Sequence, residues 1–324
     1  MHFLKATTPT IGASMTAAAL PQLPPGRPLR VRGTDGVRLH AQVFGPADGQ
    51  PIVLAHGITC AIRVWAHQIA DLATDHRVIA YDHRGHGRSE TPRGRRGYSL
   101  NHLAGDLDAV LDAALAPGER AVIAGHSMGG IAISAWSQRY PQRVRECAAA
   151  VALINTTTGD LLRDVQLAQV PARLSATRIR AAGTLLKTFG ATPVPHLADG
   201  PNKRFVSYLA VGRDADPWVA QCVYELFAST PAAGRGGWAR VLVDNLGSQH
   251  ISLRNLAVPT LVIGSAQDRL LPINASRRIA ADAPNLAAFV ELTGGHCAIL
   301  ERPEQVNHQL RALADSVAPQ ERVS

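Results

Sequence analysis

Residues 121–129 read Ala-Val-Ile-Ala-Gly-His-Ser-Met-Gly, and this stretch decides the fold. The four apolar residues predict a short buried strand, and residues 129–139 read as a helix that follows it directly. Gly125-His126-Ser127-Met128-Gly129 is therefore a G-x-S-x-G sequence at a strand-to-helix turn, the context in which it marks a nucleophilic serine. Such a turn strains the serine and brings backbone segments together, so only glycine fits at Gly125 and Gly129.

Short apolar runs recur on both sides of this stretch, separated by helical segments such as residues 100–115. Runs of four to seven apolar residues are typical of strands buried on both faces of a parallel sheet, and the helical segments are long enough for right-handed crossovers. A hairpin signal at Thr34-Asp35-Gly36 precedes them. The sequence predicts an α/β fold with a doubly wound, mostly parallel sheet. The predicted buried strands cover residues 52–55, 78–81, 121–124, 148–154, 260–263 and 288–292.

One interval breaks the alternation of strands and helices. Residues 155–250 contain no buried-strand pattern and read as several helices interrupted by Pro and Gly. Because so long a segment cannot be a plain loop in a compact domain, we predict a helical cap inserted into the α/β core. The predicted division is a flexible arm at residues 1–27, a core at 28–154 and 251–318, the cap at 155–250, and a tail at 319–324.

The predicted cap contains an amphipathic segment at residues 172–190. Ile179, Ala182, Leu186 and Phe189 recur at helical spacing, and Arg173, Arg180 and Lys187 recur every seven residues along another stripe. An ordinary helix with its apolar stripe on the core is the simpler interpretation. The alternative is a movable lid whose basic stripe makes peripheral contact with anionic lipid.

A serine hydroxyl is a weak nucleophile and needs a base, which in turn needs an orienting acid. Of thirteen histidines, His296 follows the last predicted strand directly, in Gly-Gly-His at residues 294–296. Asp268 follows the strand at residues 260–263, which gives the chain order Ser, Asp, His. We therefore predict a catalytic triad of Ser127, His296 and Asp268. The alternative role for Asp268 is to cap a helix near Pro272.

The developing oxyanion of such a reaction requires backbone donors. His56-Gly57-Ile58 follows the strand at residues 52–55, where a second donor is expected beside the one after the nucleophile. We predict the N–H groups of Ile58 and Met128 as these donors. His56 and His126 are expected to shape the backbone around them. His83 and His86 lie in a glycine-rich run, and this run predicts a structural turn rather than a metal site.

Together these motifs resemble the α/β-hydrolase superfamily over about residues 28–317. The motifs that carry the resemblance are His56-Gly57, Tyr81-Asp-His-Arg-Gly-His-Gly-Arg-Ser89, Gly125-His-Ser-Met-Gly129, Gly264-Ser-Ala-Gln-Asp268 and Gly294-Gly-His296. The resemblance implies a serine hydrolase that cleaves a small-molecule carboxylic acyl ester through an acyl-enzyme, with no cofactor and no metal. An acyl thioesterase or a C–C bond hydrolase with the same triad is the alternative, and a non-catalytic binding protein of this fold is a third interpretation.

Composition sets the remaining expectations. With 46% hydrophobic and 18% charged residues the chain reads as globular, and its four cysteines form no C-x-x-C pair. The net charge of +8 favours anionic partners, but no nucleic-acid-binding motif accompanies it, so nucleic acid is not predicted. A cytoplasmic protein is predicted over a secreted one, because polar residues interrupt the only apolar stretch near the N-terminus.

Overall fold

The computed structural model describes residues 20–164, 183–184, 187–188, 200–247 and 249–318. Within these residues the strands are β1 (Arg27–Arg32), β2 (Arg38–Phe44), β3 (Pro51–Ala55), β4 (Arg77–Tyr81), β5 (Ala121–His126), β6 (Ala148–Ile154), β7 (Thr260–Ser265) and β8 (Leu286–Leu292). They form one sheet in the order β1-β2-β4-β3-β5-β6-β7-β8.

Helices flank this sheet on both faces. Over the same residues the α-helices are α1 (Ala66–Leu72), α2 (Leu100–Ala114), α3 (Met128–Arg139), α4 (Pro141–Cys147), α5 (Leu161–Asp164), α6 (Pro201–Ala210), α7 (Pro217–Ser229), α8 (Ala232–Leu246), α9 (Ile273–Asp282), α10 (Ala298–Glu301) and α11 (Pro303–Ser316). Two short 3-10 helices span Ile62–Trp65 and Arg95–Gly97. One large apolar cluster lies on each face of the sheet, with Trp136 in one and Trp65 in the other.

The strand pairing explains where a site can form. Strands β4, β3, β5, β6, β7 and β8 are parallel, whereas β1 and β2 form the predicted hairpin and β2 pairs antiparallel with β4. The prediction of a mostly parallel α/β sheet is confirmed. Because the strands are parallel, the loops after β3, β5, β7 and β8 all leave from the same edge of the sheet.

Strand β8 departs from its predicted environment. Residues 288–292 were expected to be buried on both faces, and this expectation is wrong: of strand β8 only Leu292 is buried, and Leu286 is 41% exposed. The reason is its position at the edge of the sheet, where a strand has a neighbour on one side only. The apolar runs of β3, β5, β6 and β7 are buried throughout, because each of these strands has a neighbour on both sides.

The regular secondary structure described between β6 and β7 is helical, and turns and irregular segments connect the helices. This interval contains α5 to α8, and apart from one isolated bridge between Gly159 and His250 its described residues add no strand. The domain boundaries and the cap role stay predictions, as do the arm and the tail, whose residues 1–19 and 319–324 lie outside the described ranges.

The amphipathic segment at residues 172–190 also lies mostly outside the described residues. Of its basic stripe only Lys187 is described, and its ammonium pairs with Asp244 on α8. The contact with anionic lipid stays a prediction. None of the helices in the described part of the chain is long and apolar enough to cross a bilayer.

Candidate active site

Ser127 occupies the turn between β5 and α3. Its backbone has φ 53° and ψ −117°, a left-handed conformation that a non-glycine residue adopts only when its surroundings enforce it. The Ser127 N–H donates to the carbonyl of Ile154 at 2.9 Å, and its carbonyl accepts from the hydroxyl of Thr156 at 2.7 Å. The end of β6 therefore holds the strained serine in place.

The predicted elbow glycines are required by close backbone contacts. A Cβ on Gly129 would overlap the carbonyl oxygen of Ala55 at the end of β3, and one on Gly125 would overlap the backbone of Gly129. Gly130, which the sequence interpretation did not single out, packs equally tightly against the side chain of Thr156. Helix α3 can therefore start directly beside β3 and β5 only with glycine at these positions.

The structure places Asp268 beside His296. The Nδ1 of His296 lies 2.8 Å from Oδ2 of Asp268, and both side chains are buried. The other carboxylate oxygen accepts the N–H groups of Leu270 and Leu271 at 2.9 and 2.7 Å. Asp268 thus orders its own turn and also contacts the histidine. Because a carboxylate accepts, Nδ1 of His296 carries the proton and Nε2 of the neutral ring is unprotonated.

Two side chains that the sequence interpretation gave no role support this pair. Asn155, directly after β6, donates from Nδ2 to Oδ2 of Asp268 at 3.1 Å and to the hydroxyl of Ser265 at 3.0 Å. Glu301 accepts at Oε2 from the N–H groups of Gly295 at 2.9 Å and Gly212 at 3.0 Å. It therefore ties the loop of His296 to the connection between α6 and α7. The only sequence signal for Asn155 is its position at the carboxyl end of a strand.

His126 fulfils the backbone role expected for it. Its Nε2 lies 2.9 Å from the carbonyl oxygen of His296, so Nε2 carries the proton and donates. Burial lowers the pKa of His126 to about 3, which keeps the ring neutral. The nucleophile strand and the histidine loop are therefore joined by a hydrogen bond that does not involve either predicted catalytic side chain.

Ser127, His296 and Ile58 line one cavity of about 150 Å³. Its apolar wall comes from the helices between β6 and β7, through Phe205, Leu209, Val223, Phe227 and Ala239. One buried cation, Arg235, also lines it and donates from Nη1 to the carbonyls of Phe227 and Thr230 at 2.8 and 3.0 Å. A substrate carbonyl held at Ser127 would thus lie in largely apolar surroundings, where dipoles act strongly.

The predicted oxyanion donors have suitable surroundings. Met128 is the first residue of α3, where backbone N–H groups have no helical acceptor, and Ile58 lies on the loop after β3. Across the described ranges neither N–H takes part in a hydrogen bond. The same ranges contain no group of three His, Cys, Asp or Glu side chains arranged to bind a metal. The catalytic roles of all these residues stay predictions.

Four buried histidines surround the elbow and the loop after β3, and they make stability depend on pH. Burial lowers the pKa of His83 and His126 to about 3, that of His86 to about 4, and that of His56 well below its usual value. In the unfolded chain, each of these histidines would have its usual pKa of about 6.5. Their stabilisation is therefore complete above about pH 6.5 and is lost as the pH falls toward the folded values. Asp82 has the opposite effect on stability: burial raises its pKa to about 6, so the folded protein takes up this proton at a higher pH than the unfolded chain does.

We expect acidification from about pH 6.5 to 4.5 to lower the free energy of unfolding, since the unfolded chain takes up more protons. One histidine accounts for about 1.4 kcal/mol per pH unit. In the His83→Gln variant, the free energy of unfolding should therefore fall less steeply with decreasing pH, by about 1.4 kcal/mol per pH unit. Urea unfolding of both proteins at several pH values measures it, and parallel curves would show that His83 is not buried as a neutral ring.

Comparison with known proteins decides the family. The profile of the alpha/beta hydrolase fold matches residues 50–303, a span that includes Ser127, Asp268 and His296. The chain belongs to the alpha/beta hydrolase fold family. This confirms the resemblance drawn from the motifs.

Two curated relatives of this alpha/beta hydrolase have the names of hydrolytic enzymes. It is 31% identical over 261 residues to the protein of Variovorax paradoxus named "Putative carbamate hydrolase RutD", covering 80% of this chain and 89% of the relative. It is 25% identical over 278 residues to 3-oxoadipate enol-lactonase 2 of Acinetobacter baylyi, covering 86% of this chain and 93% of the relative. Family and relatives together support a hydrolytic enzyme.

A solved structure extends the likeness to the fold. A thermophilic esterase from Thermogutta terrifontis superposes with a TM-score of 0.71 at 22% identity, over 91% of this alpha/beta hydrolase and 100% of the esterase. At this level of identity the likeness concerns the fold.

Proposed function

We propose that this alpha/beta hydrolase is a serine hydrolase that cleaves carboxylic esters through Ser127, His296 and Asp268. The observation that carries the proposal is the shared cavity: Ser127 at its strained turn and His296, paired with Asp268 at 2.8 Å, line the same apolar space. A nucleophile beside a base whose other nitrogen is held by a buried acid is the arrangement that activates a serine hydroxyl.

In the acylation step, Oγ of Ser127 forms a bond to the ester carbonyl carbon while its proton passes to Nε2 of His296. The carbonyl oxygen becomes an oxyanion, which the N–H groups of Ile58 and Met128 stabilise. Asp268 stabilises the imidazolium that forms and holds Nδ1 toward itself. When the C–O bond to the alcohol breaks, His296 returns the proton to the departing alkoxide, which leaves an acyl-enzyme on Ser127.

In the second step, water replaces the alcohol. His296 takes a proton from the water, the hydroxide oxygen bonds to the acyl carbon, and the same backbone donors hold the second oxyanion. Collapse breaks the bond to Ser127, and His296 returns the proton to Oγ. We propose the apolar side chains of α6 to α8 as the cap wall that holds the acyl group, because they face Ser127 across the cavity.

We expect a fluorophosphonate probe to label the protein at one site, Ser127, because only an activated serine hydroxyl attacks phosphorus at a useful rate. The same protein should hydrolyse p-nitrophenyl esters, and ester turnover should fall in proportion as the labelled fraction rises toward one probe per chain. Intact-protein mass spectrometry and colorimetric turnover measure both.

A substrate panel separates the alternatives. Acyl-CoA turnover at a kcat/KM at least tenfold above that of every ester would replace ester hydrolysis with thioester hydrolysis, and hydrolysis of β-diketones alone would point to C–C bond cleavage. A chain that takes up no probe and turns over no member of the panel would be a binding protein of this fold.

A further inference from the structure

The loop after β3 lies on the turn after β4, which has a glycine-rich sequence. Asp82 begins this turn, and its buried carboxylate accepts the N–H of Ile62 at 2.7 Å through Oδ1 and that of Arg88 at 2.9 Å through Oδ2. The Asp82 carboxylate thus joins Ile62, at the far end of the loop after β3, to the turn after β4. The loop itself, at residues 56–62, contains the proposed oxyanion donor Ile58.

Two histidines join the near end of the loop to the same turn. The N–H of His83 donates to Nε2 of His56 at 3.0 Å, and Nε2 of His83 donates to the carbonyl oxygen of His56 at 3.0 Å. The remaining nitrogen of His56 donates to the carbonyl of Gly57 at 2.7 Å. These partners assign a single neutral tautomer to each ring, because carbonyl oxygens only accept.

The middle of the loop is held by His86. Its Nε2 accepts the N–H of Thr59 at 3.1 Å, and its Nδ1 donates to the carbonyl of Arg84 at 3.2 Å. The side chain is fully buried, and burial lowers its pKa to about 4, so at neutral pH the ring keeps one donor and one acceptor. The bond to Arg84 puts the proton on Nδ1 and leaves Nε2 able to accept from the loop.

Thr59 needs this support more than its neighbours do. Its φ is 61°, and a β-branched residue in the left-handed region is strained by about 1–3 kcal/mol. Such a conformation persists only where the surroundings enforce it. Ile58 directly precedes Thr59, so relaxation of Thr59 would turn the peptide groups on either side of it and move the Ile58 N–H.

We propose that His86 is a positioning residue for oxyanion stabilisation: by accepting the Thr59 N–H it holds the strained loop so that the Ile58 N–H is presented to Ser127. His86 acts through the loop, because it is not itself one of the residues that line the cavity. The proposal rests on the proposed function, because it concerns a donor that matters only if an oxyanion forms at Ser127.

Three substitutions at His86 test the proposal. His86→Gln retains an acceptor at the distance of Nε2, whereas His86→Asn places its acceptor one methylene short and His86→Leu has none. We expect kcat for a p-nitrophenyl ester to fall about 10- to 100-fold in the Asn and Leu variants. This loss is smaller than the ~10²–10³-fold fall in kcat on removal of an oxyanion donor, because here the donor is displaced and not removed. The Gln variant should stay within about threefold of wild type.

A tetrahedral inhibitor distinguishes positioning from a general structural defect. A boronic acid bound to Ser127 places an oxygen between the oxyanion donors, so its inhibition constant should rise in proportion to the fall in kcat/KM, while KM changes less than about threefold. His76→Asn is the matched control: His76 is also buried and hydrogen-bonded, but it precedes β4 at the opposite edge of the sheet. Its kcat should stay within twofold.

The outcomes separate the two proposals. If wild type is active and depends on Ser127, but the Asn variant keeps its kcat or the Gln variant loses as much as the Asn variant, His86 does not position the loop. Equal loss of kcat in the His76→Asn and His86→Asn variants would assign the effect to folding. If the His86→Leu variant does not fold, the comparison of kcat between His86→Gln and His86→Asn still tests the proposal. Activity that is independent of Ser127 would overturn the proposed function first.

Discussion

Ser127→Ala should abolish ester hydrolysis and fluorophosphonate labelling, with turnover falling by about 10⁴-fold or more, because a covalent nucleophile is removed. The change keeps the Cβ, so it adds no strain to the left-handed backbone at this position. The carbonyl and N–H of Ser127, which hold the turn against β6, are also unchanged. The thermal midpoint should therefore remain within a few degrees of wild type.

The control is a buried serine on α3, the helix that follows Ser127. Ser137→Ala removes a hydroxyl that donates to the carbonyl of Ser134 at 2.9 Å, and its turnover should stay within twofold of wild type. His296→Ala should lose about as much activity as Ser127→Ala, since the two residues act as a unit. Turnover of Ser127→Ala within tenfold of wild type would rule out Ser127 as the nucleophile.

Arg84→Met should lower the free energy of unfolding by about 3–5 kcal/mol, because it leaves a buried carboxylate without its partner. Arg84 is fully buried, and its guanidinium contacts Asp106 on α2 through two bonds of 2.7 and 2.6 Å. It also donates to Asp35 at 2.8 Å in the β1–β2 turn. The residue thus joins the turn after β4 to α2 and to the hairpin. Urea unfolding at pH 7.5 measures the loss.

An exposed pair provides the comparison. Arg38 lies 3.4 Å from Glu90 with both side chains well exposed, so Arg38→Met should cost less than about 1 kcal/mol. In the double variant Arg84→Met/Asp106→Leu both charges of the buried pair are removed, and stability should recover in part. A loss below about 1 kcal/mol for Arg84→Met alone would show that the buried network contributes no more than a surface ion pair.

Local pattern was enough to place most of the sheet and the nucleophile turn. The apolar runs of β3 to β7 lie within one or two residues of their predicted ends, because strands buried on both faces must be continuously apolar. Ser127 is also recognisable locally, since glycine is required wherever α3 starts against β3 and β5. The order of Asp268 and His296 along the chain follows from where their strands end.

Contacts between distant segments could not be inferred in this way. β8 has the composition of an interior strand, and only the strand order places it at the edge with much of its surface exposed. Asn155 looks like an ordinary strand-end residue until β7 brings Asp268 and Ser265, more than a hundred residues later, within hydrogen-bond distance. A carboxylate such as Glu301 likewise has no sequence signal for its contact with Gly212, 89 residues earlier in the chain.

The identity of the reacting groups is thus a local property, whereas their positions depend on the whole sheet. A serine at a strand-to-helix turn is recognisable because steric limits act between neighbours in the chain. The hydrogen bond from Thr59 to His86 joins two loops 27 residues apart, and it exists only because β3 and β4 are adjacent and parallel. Hydrogen bonds are short and directional, so which side chains support the oxyanion loop is decided by strand order and register in the folded chain.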